Sequence, residues 1–311
     1  MGAVMRVDLS DQLVPNLPQI AEVAAAARPD AAIAVIVDAE RALCPECGAE
    51  HLALANRLWK SLTALGISLW AVHVVDKVAC GGRWHCVDGC GDGGDVDDPA
   101  ASPLAVAAVL EGRRLYARRA DLEKVVAAAD DASRETVAKR VGGQFVSREA
   151  ARLQDPDGCS RRDVEYAMAV AAEVAEGREL SDEELARLAG ALTDLRVRDV
   201  LYALAVGDSA AEAESLWETL ARTLPDPGRV EALGLLAFSA YARGDGPLAG
   251  VALEAALRSD PTHRMAGMLD TALQSGVRPE EIRELAATGY WLAEELGVQL
   301  PRRRGSGRWA C

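Results

Sequence analysis

The chain has 311 residues, enough for one large domain or two ordinary ones. Half of them are hydrophobic and 26% are charged, values that exclude a disordered chain. Forty-eight acidic side chains against 34 basic ones give a formal net charge of −14, which argues against nonspecific nucleic-acid binding and against an anionic membrane surface as partner.

The N-terminus carries no basic segment followed by a long apolar one, and no apolar run reaches the length of a membrane span. The expectation is a cytoplasmic protein, where spaced cysteines point to metal or redox chemistry before structural disulfides.

In chain order, Pro18 to Ala27 predicts a covering helix with Pro18 in its first turn. Ala31 to Val37 is a continuous β-branched run and predicts a buried strand. His51 to Leu65 predicts a helix capped by Gly66, and Ile67 to Val75 a second strand. Strand, helix and strand with short joins make a βαβ unit and a parallel pair. Val78 to Ala100 is rich in Gly, Asp and Cys and predicts a surface loop, or a strand end leading into one. Helical patterns resume at Pro103 to Leu110 and at Ala120 to Ala129. From about Arg148 only helices are predicted, at 161–176, 182–192, 197–206, 210–220, 229–241, 247–257, 264–274 and 279–286. Ser181 with Glu184 matches a capping box.

The expected fold class is therefore an α/β part with a small, mainly parallel sheet, followed by an all-helical part. The expected division is an α/β domain over 1–145, a helical domain over 146–298 and a flexible basic tail over 299–311. Within the helical domain, residues 230–261 place Leu236, Ala237, Ala240, Gly244, Ala249, Leu253, Ala256 and Pro261 as a tetratricopeptide-like helix pair does. Only this pair matches well, so an isolated helix hairpin is favoured over a true repeat array.

Cys44-Pro45-Glu46-Cys47-Gly48 is a knuckle-like signal in which two thiolates grip one metal from a tight turn. A zinc site needs further ligands, and the set favoured is Cys44, Cys47, Cys86 and Cys90, with Cys80, His51 and His85 as substitutes. The second pair is separated by three residues rather than two, which weakens the motif. In a parallel strand pair both groups lie beyond the C-terminal strand ends, which allows the geometry. Reduced cysteines without metal, and redox thiols at Cys44 and Cys47, stand as alternatives. Glu46 opposes thiolate formation there. Asp88, Asp92, Asp95, Asp97 and Asp98 fail the calcium-loop spacing and read as a solvated acidic loop.

No nucleotide-binding glycine motif and no Gly-x-Ser-x-Gly elbow is present. His73 reads as a packed strand histidine and His263 as a helix-start residue. Trp59, Trp70 and Trp84 read as anchors of the α/β core, Trp217 as helical core and Trp291 as a docking side chain for the last helix. Arg83 and the run Arg113, Arg114, Arg118 and Arg119 form the internal positive cluster, read either as a salt-bridged face or as an anion-binding cleft at the strand ends.

The ordering as a whole resembles a known family. Its marks are Arg6-Val7-Asp8-Leu9, Gly82-Arg83-Trp84 with Cys86 and Cys90, Ser102-Pro103-Leu104-Ala105, Gly112-Arg113 to Arg118, Arg198-Asp199-Val200, Leu235 to Tyr241, Gly244-Asp245-Gly246, Asp260-Pro261 and Leu269-Asp270. These resemble the actinobacterial domain-of-unknown-function family numbered 4192, over most of the chain. The resemblance implies further residues, including an apolar strand, ahead of Arg6, and adjacent cysteines with a proline after the tryptophan segment. Here Cys90 is followed by Gly91, and Cys44-Pro45-Glu46-Cys47 is this sequence's own addition. No activity comes with the family.

The expected function is a protein-interaction or scaffold module that binds a protein partner through its helical domain and holds a structural zinc. The alternatives are an enzyme acting on a small anionic substrate at the strand ends, with Arg83, Cys86 and Cys90 nearby, or a thiol redox protein using Cys44 and Cys47.

Overall fold

β-branched residues favour extended backbone, and Ala31–Val37 forms strand β1 over the range its apolar run marks. The computed structural model describes residues 4–26, 28–110, 116 and 118–303. They fall into two compact units, one comprising Met1–Leu115 with Ser275–Arg278, the other Tyr116–Gln274 with Pro279–Cys311. Residues 145 and 146, where the division was expected, lie inside one continuous helix, Asp131–Gln154.

In the first unit, helix α1 (Leu13–Ala26) precedes β1, and helix α2 (Gly48–Thr63) links it to strand β2 (Ser68–Val75). α1 starts ahead of Pro18, which therefore sits inside the helix, with its missing N–H on an exposed side. β1 and β2 pair in parallel, with Ala34 opposite Val72 and Val37 opposite Val75. Gly66, at φ 77°, ends the helical segment, and the Ile67 amide donates to the Leu62 carbonyl, which returns Ile67 to the core. That core has two clusters. Ala21, Leu62 and Ile67 pack with Leu58 and Leu69, and Ile36, Ala42 and Val74 pack with Leu54, Val72 and Val87. β1 is not buried on both faces as its unbroken apolar run predicts. Ile33 and Val35 are 64% and 55% exposed while Ile36 on the other face is buried.

The Gly/Asp/Cys-rich stretch is not wholly a loop. It contains strands β3 (Arg83–Cys86) and β4 (Gly93–Asp95). Both run antiparallel to their neighbours, in the order β1-β2-β3-β4, so the sheet is mixed, with one parallel pairing and two antiparallel ones. The β2–β3 turn is tied by Asp76 Oδ1, which accepts from the amides of Lys77 at 2.6 Å and Arg83 at 2.8 Å. A Cβ on Gly82 would run into the Lys77 carbonyl oxygen, so the turn needs glycine there. Helix α3 (Pro103–Leu110) follows.

The second unit is helical: α4 (Arg119–Val126), α5 (Asp131–Gln154), α6 (Pro156–Ala175), α7 (Asp182–Ala191), α8 (Leu195–Tyr202), α9 (Ala210–Thr223), α10 (Gly228–Arg243), α11 (Gly246–Ser259), α12 (Arg264–Gln274) and α13 (Pro279–Leu296). α10 is buried almost all round and forms the centre of this unit. Its hairpin with α11 turns at Gly244, at φ 89°, and the Asp245 side chain caps α11 through the Leu248 amide. Ala237, Ala240, Ala249, Ala252 and Ala256 are fully buried, and their small side chains let helices approach closely. The Ser181–Glu184 capping box is formed at the start of α7. Among the described residues no helix is long and apolar enough to cross a membrane.

Candidate metal centre

The direction of β3 decides where the cysteines lie. β1 ends at Val37, and Cys44 and Cys47 follow it, in a short 3-10 turn at Pro45–Cys47 that leads into α2. β3 enters beside Val75 at the end of β2 and runs back, so Cys86 stands opposite His73 and the Val87 amide donates to the Val72 carbonyl at 3.0 Å. Cys86 and the turn after it are thus carried away from the strand ends where Cys44 and Cys47 sit. β2 also separates β1 from β3, which adds about 10 Å of sheet width. The four-cysteine set is not brought together.

Another set is. One sulfur each from Cys86 and Cys90 and a carboxylate oxygen of Asp88 lie within 4.8 Å of one another, and no other group of three or more Cys, His, Asp or Glu does so among the described residues. Positive φ at Gly89 and Gly91 bends the turn, so three alternate side chains converge instead of fanning out. Asp88 Oδ1 accepts from the Cys90 amide at 3.1 Å, and the Cys86 amide donates to the Asp92 carbonyl at 2.9 Å. Ligands of a tetrahedral zinc stand roughly 3.3–3.8 Å apart, so a closure of about 1 Å would seat the ion.

The electrostatics of this turn ask for a cation. The Asp92 backbone amide favours the Cys90 thiolate, but the Asp88 carboxylate and the Cys86 thiol oppose it more, and the Cys90 thiol is pushed up to about 11. Hydrogen bonds from the Cys90 amide and thiol hold Asp88 below the usual carboxylate range. A metal ion would turn this mutual repulsion into ligation, with release of the Cys90 proton. His73 stands beside the group, with Nδ1 3.5 Å from Cys86 Sγ and its ring edge-on to Trp84 at 5.0 Å.

The substitutes fall elsewhere. Cys80 is exposed in the β2–β3 turn. His51 is buried, with Nε2 3.1 Å from Asp38 Oδ2, and so ties α2 to the end of β1. His85 pairs with Val74 on the sheet face opposite to Cys86. Asp88 belongs to this group rather than to a merely solvated acidic loop. The signal that identifies it is Cys-x-Asp-Gly-Cys-Gly, with Gly89 between the last two ligands and Gly91 just after them.

Cys44 and Cys47 form a separate dithiol. Arg41 Nε donates to Cys47 Sγ at 3.4 Å, and Arg41 also pairs with Glu50. The Cys47 thiol and the backbone amides of Cys47 and Glu46 lower the Cys44 thiol below its ordinary range. Cys47 moves the other way, raised chiefly by Cys44, although Arg41 pulls it down.

Other expected features resolve differently. Trp59 and Trp70 are 49% and 74% exposed and do not anchor the core, whereas Trp217 is buried in the helical unit. Trp291 is 57% exposed. Arg113 and Arg114 lie outside the described residues. Arg119 pairs with Glu123 and Glu254, as the salt-bridged reading of that run has it. His263 does start a helix, its Nδ1 accepting from the Ala266 amide at 3.1 Å.

Together these features define a two-unit protein in which a mixed α/β unit bearing a thiol–carboxylate turn precedes a helical unit. The family described as Domain of unknown function (DUF4192) matches residues 1–280, and the chain belongs to that family. No curated protein and no solved structure matches it.

Proposed function

We propose that this chain is a protein-interaction module whose α/β unit is stabilised by zinc on the β3–β4 hairpin and whose helical unit contacts a protein partner. The observation that carries the metal part is the convergence of Cys86, Asp88 and Cys90, with His73 beside them as a fourth donor. Two thiolates, a carboxylate and an imidazole suit zinc and fill a closed tetrahedral site of the structural kind. Cys44 and Cys47 are left out of this centre. The partner surface is supported by the α10–α11 hairpin, whose small residues match a tetratricopeptide-like pair, and by the exposed Met268, Leu285 and Trp291 on the helices that follow. All six described cysteines are free thiols, which suits a reducing, cytoplasmic setting.

The test is metal and thiol analysis of the full chain purified without added metal or chelator. About one zinc per chain, with Cys86 and Cys90 protected from alkylation until the metal is removed, supports the reading. A metal-free folded protein with both thiols reactive in zinc-supplemented buffer refutes it. For the partner surface, native capture with the intact chain is compared with a Leu285→Ser/Trp291→Ser variant, and identical recovery removes that surface from the proposal.

One observation favours a second reading, a thiol redox role. Cys44 and Cys47 flank a 3-10 turn entering α2, with the first thiol lowered and the second raised, the order a nucleophilic and a resolving thiol need. Incubation with a glutathione redox buffer tests it. Formation of a Cys44–Cys47 disulfide near the cytosolic potential supports it, and mixed disulfides alone refute it.

A further inference from the structure

α5, α6 and α7 border an open cleft of about 210 Å³, lined by Arg148, Ala151, Arg152, Cys159, Arg162, Asp163 and Arg187. Four arginines face one aspartate there, in a chain whose formal net charge is −14. The helical period places them. Arg148, Ala151 and Arg152 share one face of α5, and Cys159, Arg162 and Asp163 share one face of α6.

Part of this charge has structural work. Asp163, nearly buried, accepts from Arg148 Nη2 at 2.7 Å and lies 3.9 Å from Arg152 Nη2. Arg152 donates to the Gly190 carbonyl and the Thr193 hydroxyl, both at 3.0 Å. Those bonds tie α5 to α6 and α7, and they account for two arginines. They do not account for the other two. Arg187 lies 3.5 Å from the centre of the Tyr166 ring and has no carboxylate partner among the described residues. Arg162 reaches the Cys159 sulfur at 3.2 Å and Asp155 at 3.2 Å, and that ion pair is more than half exposed on both sides, so it is screened. The result is a cleft with preset guanidinium forks and too few anions.

We infer that this cleft binds a small phosphate-class dianion, either inorganic phosphate or a phosphomonoester of a few carbons. Guanidinium groups bind such oxyanions with paired, charge-assisted hydrogen bonds. The cleft is smaller than the roughly 300–1,000 Å³ of drug-sized ligand sites, so the part of a ligand it holds is the phosphate and a short stem. The carboxylate of Asp163 disfavours larger or more highly charged anions that would reach its side of the cleft. This inference is independent of the metal and of the redox thiols.

The test is calorimetric titration of the full chain with inorganic phosphate and, separately, glycerol 3-phosphate, against acetate and chloride at matched ionic strength. Saturable binding of either phosphate at least about tenfold tighter than acetate is expected, and the tighter of the two arms identifies the source. Arg187→Gln and Arg162→Gln are each expected to weaken it at least about tenfold, through loss of one charge-assisted donor pair. If Arg187→Gln unsettles the helices, the more exposed Arg162→Gln carries the test. Phosphate is also expected to slow alkylation of Cys159 while leaving Cys44 unchanged. No saturation below about 10 mM, or unchanged affinity in both variants, overturns the proposal.

Discussion

Cys86 Sγ and His73 Nδ1 stand 3.5 Å apart across the antiparallel pairing of β2 and β3. Through this pairing a strand histidine of the core sheet meets the thiol–carboxylate turn.

Zinc binding is expected to depend on Cys86 and Cys90 and not on Cys44 and Cys47. Cys90→Ser should weaken zinc affinity by about 100-fold or more, His73→Ala by about 10-fold or more, and the Cys44→Ser/Cys47→Ser pair by less than about 3-fold. Affinity should also rise with pH. The metal-free Cys90 thiol sits at about 11 and stays protonated at neutral pH, so each unit of rise in pH toward that value makes displacement of its proton by zinc about tenfold easier. Competition with a chromophoric chelator at two pH values checks both statements.

At the dithiol, Cys44 is expected to alkylate at lower pH than Cys47. The largest cause of its lowering is the hydrogen bond from the Cys47 thiol, so Cys47→Ala should move the Cys44 profile upward. Mass spectrometry of iodoacetamide adducts against pH reads this directly, and identical profiles for the two thiols would contradict it.

In the helical unit, Glu231 receives Arg198 and, at 3.1 Å, His263 Nε2, with all three side chains at most 15% exposed. Burial raises the carboxyl, but the two partners outweigh it and leave Glu231 below its ordinary value of 4.5. A carboxylate depressed in the folded state adds stability above its unfolded value, and that stability is lost as pH falls through the folded one. Acid unfolding below about pH 4 should therefore be partly Glu231's. Glu231→Gln should flatten the stability–pH curve there, and it should cost about 3–5 kcal/mol at pH 7 by stranding Arg198. Urea unfolding at several pH values is the measurement.

Glycines in this chain are expected to respond oppositely by position. Gly142 and Gly143 lie inside α5 with open space where a Cβ would be. Alanine at each should stabilise by about 0.5–1 kcal/mol. Gly244 holds φ 89° at the end of α10, and Gly244→Ala should cost about 1–2 kcal/mol. Thermal midpoints distinguish these outcomes.

α5 also marks where local pattern was silent. It has the paired glycines just named and few buried positions, Val137 among them, so no apolar stripe announces it. Its caps and the ties of Arg148 and Arg152 hold it in place. The tryptophans misled for the converse reason. Aromatic content suggests core, yet Trp70, left without a partner at the irregularity in the β1–β2 register, is 74% exposed. Pattern and packing agree elsewhere: β1 and α12 have the ranges their sequences predict, and the Ser181 capping box and the Gly244 turn are formed.

Order of elements, helix ends and the presence of a thiol-rich segment are local properties, written in hydrophobic period, capping residues and glycine positions. They were readable from residues alone. Which cysteines share a site is not local. It follows from the direction in which β3 rejoins the sheet. A parallel return would have put Cys86 and Cys90 at the strand ends with Cys44 and Cys47. The antiparallel hairpin closed by Asp76 and Gly82 instead sends them back beside His73. Strand direction is set by hydrogen bonding between distant segments, and no spacing along the chain records it.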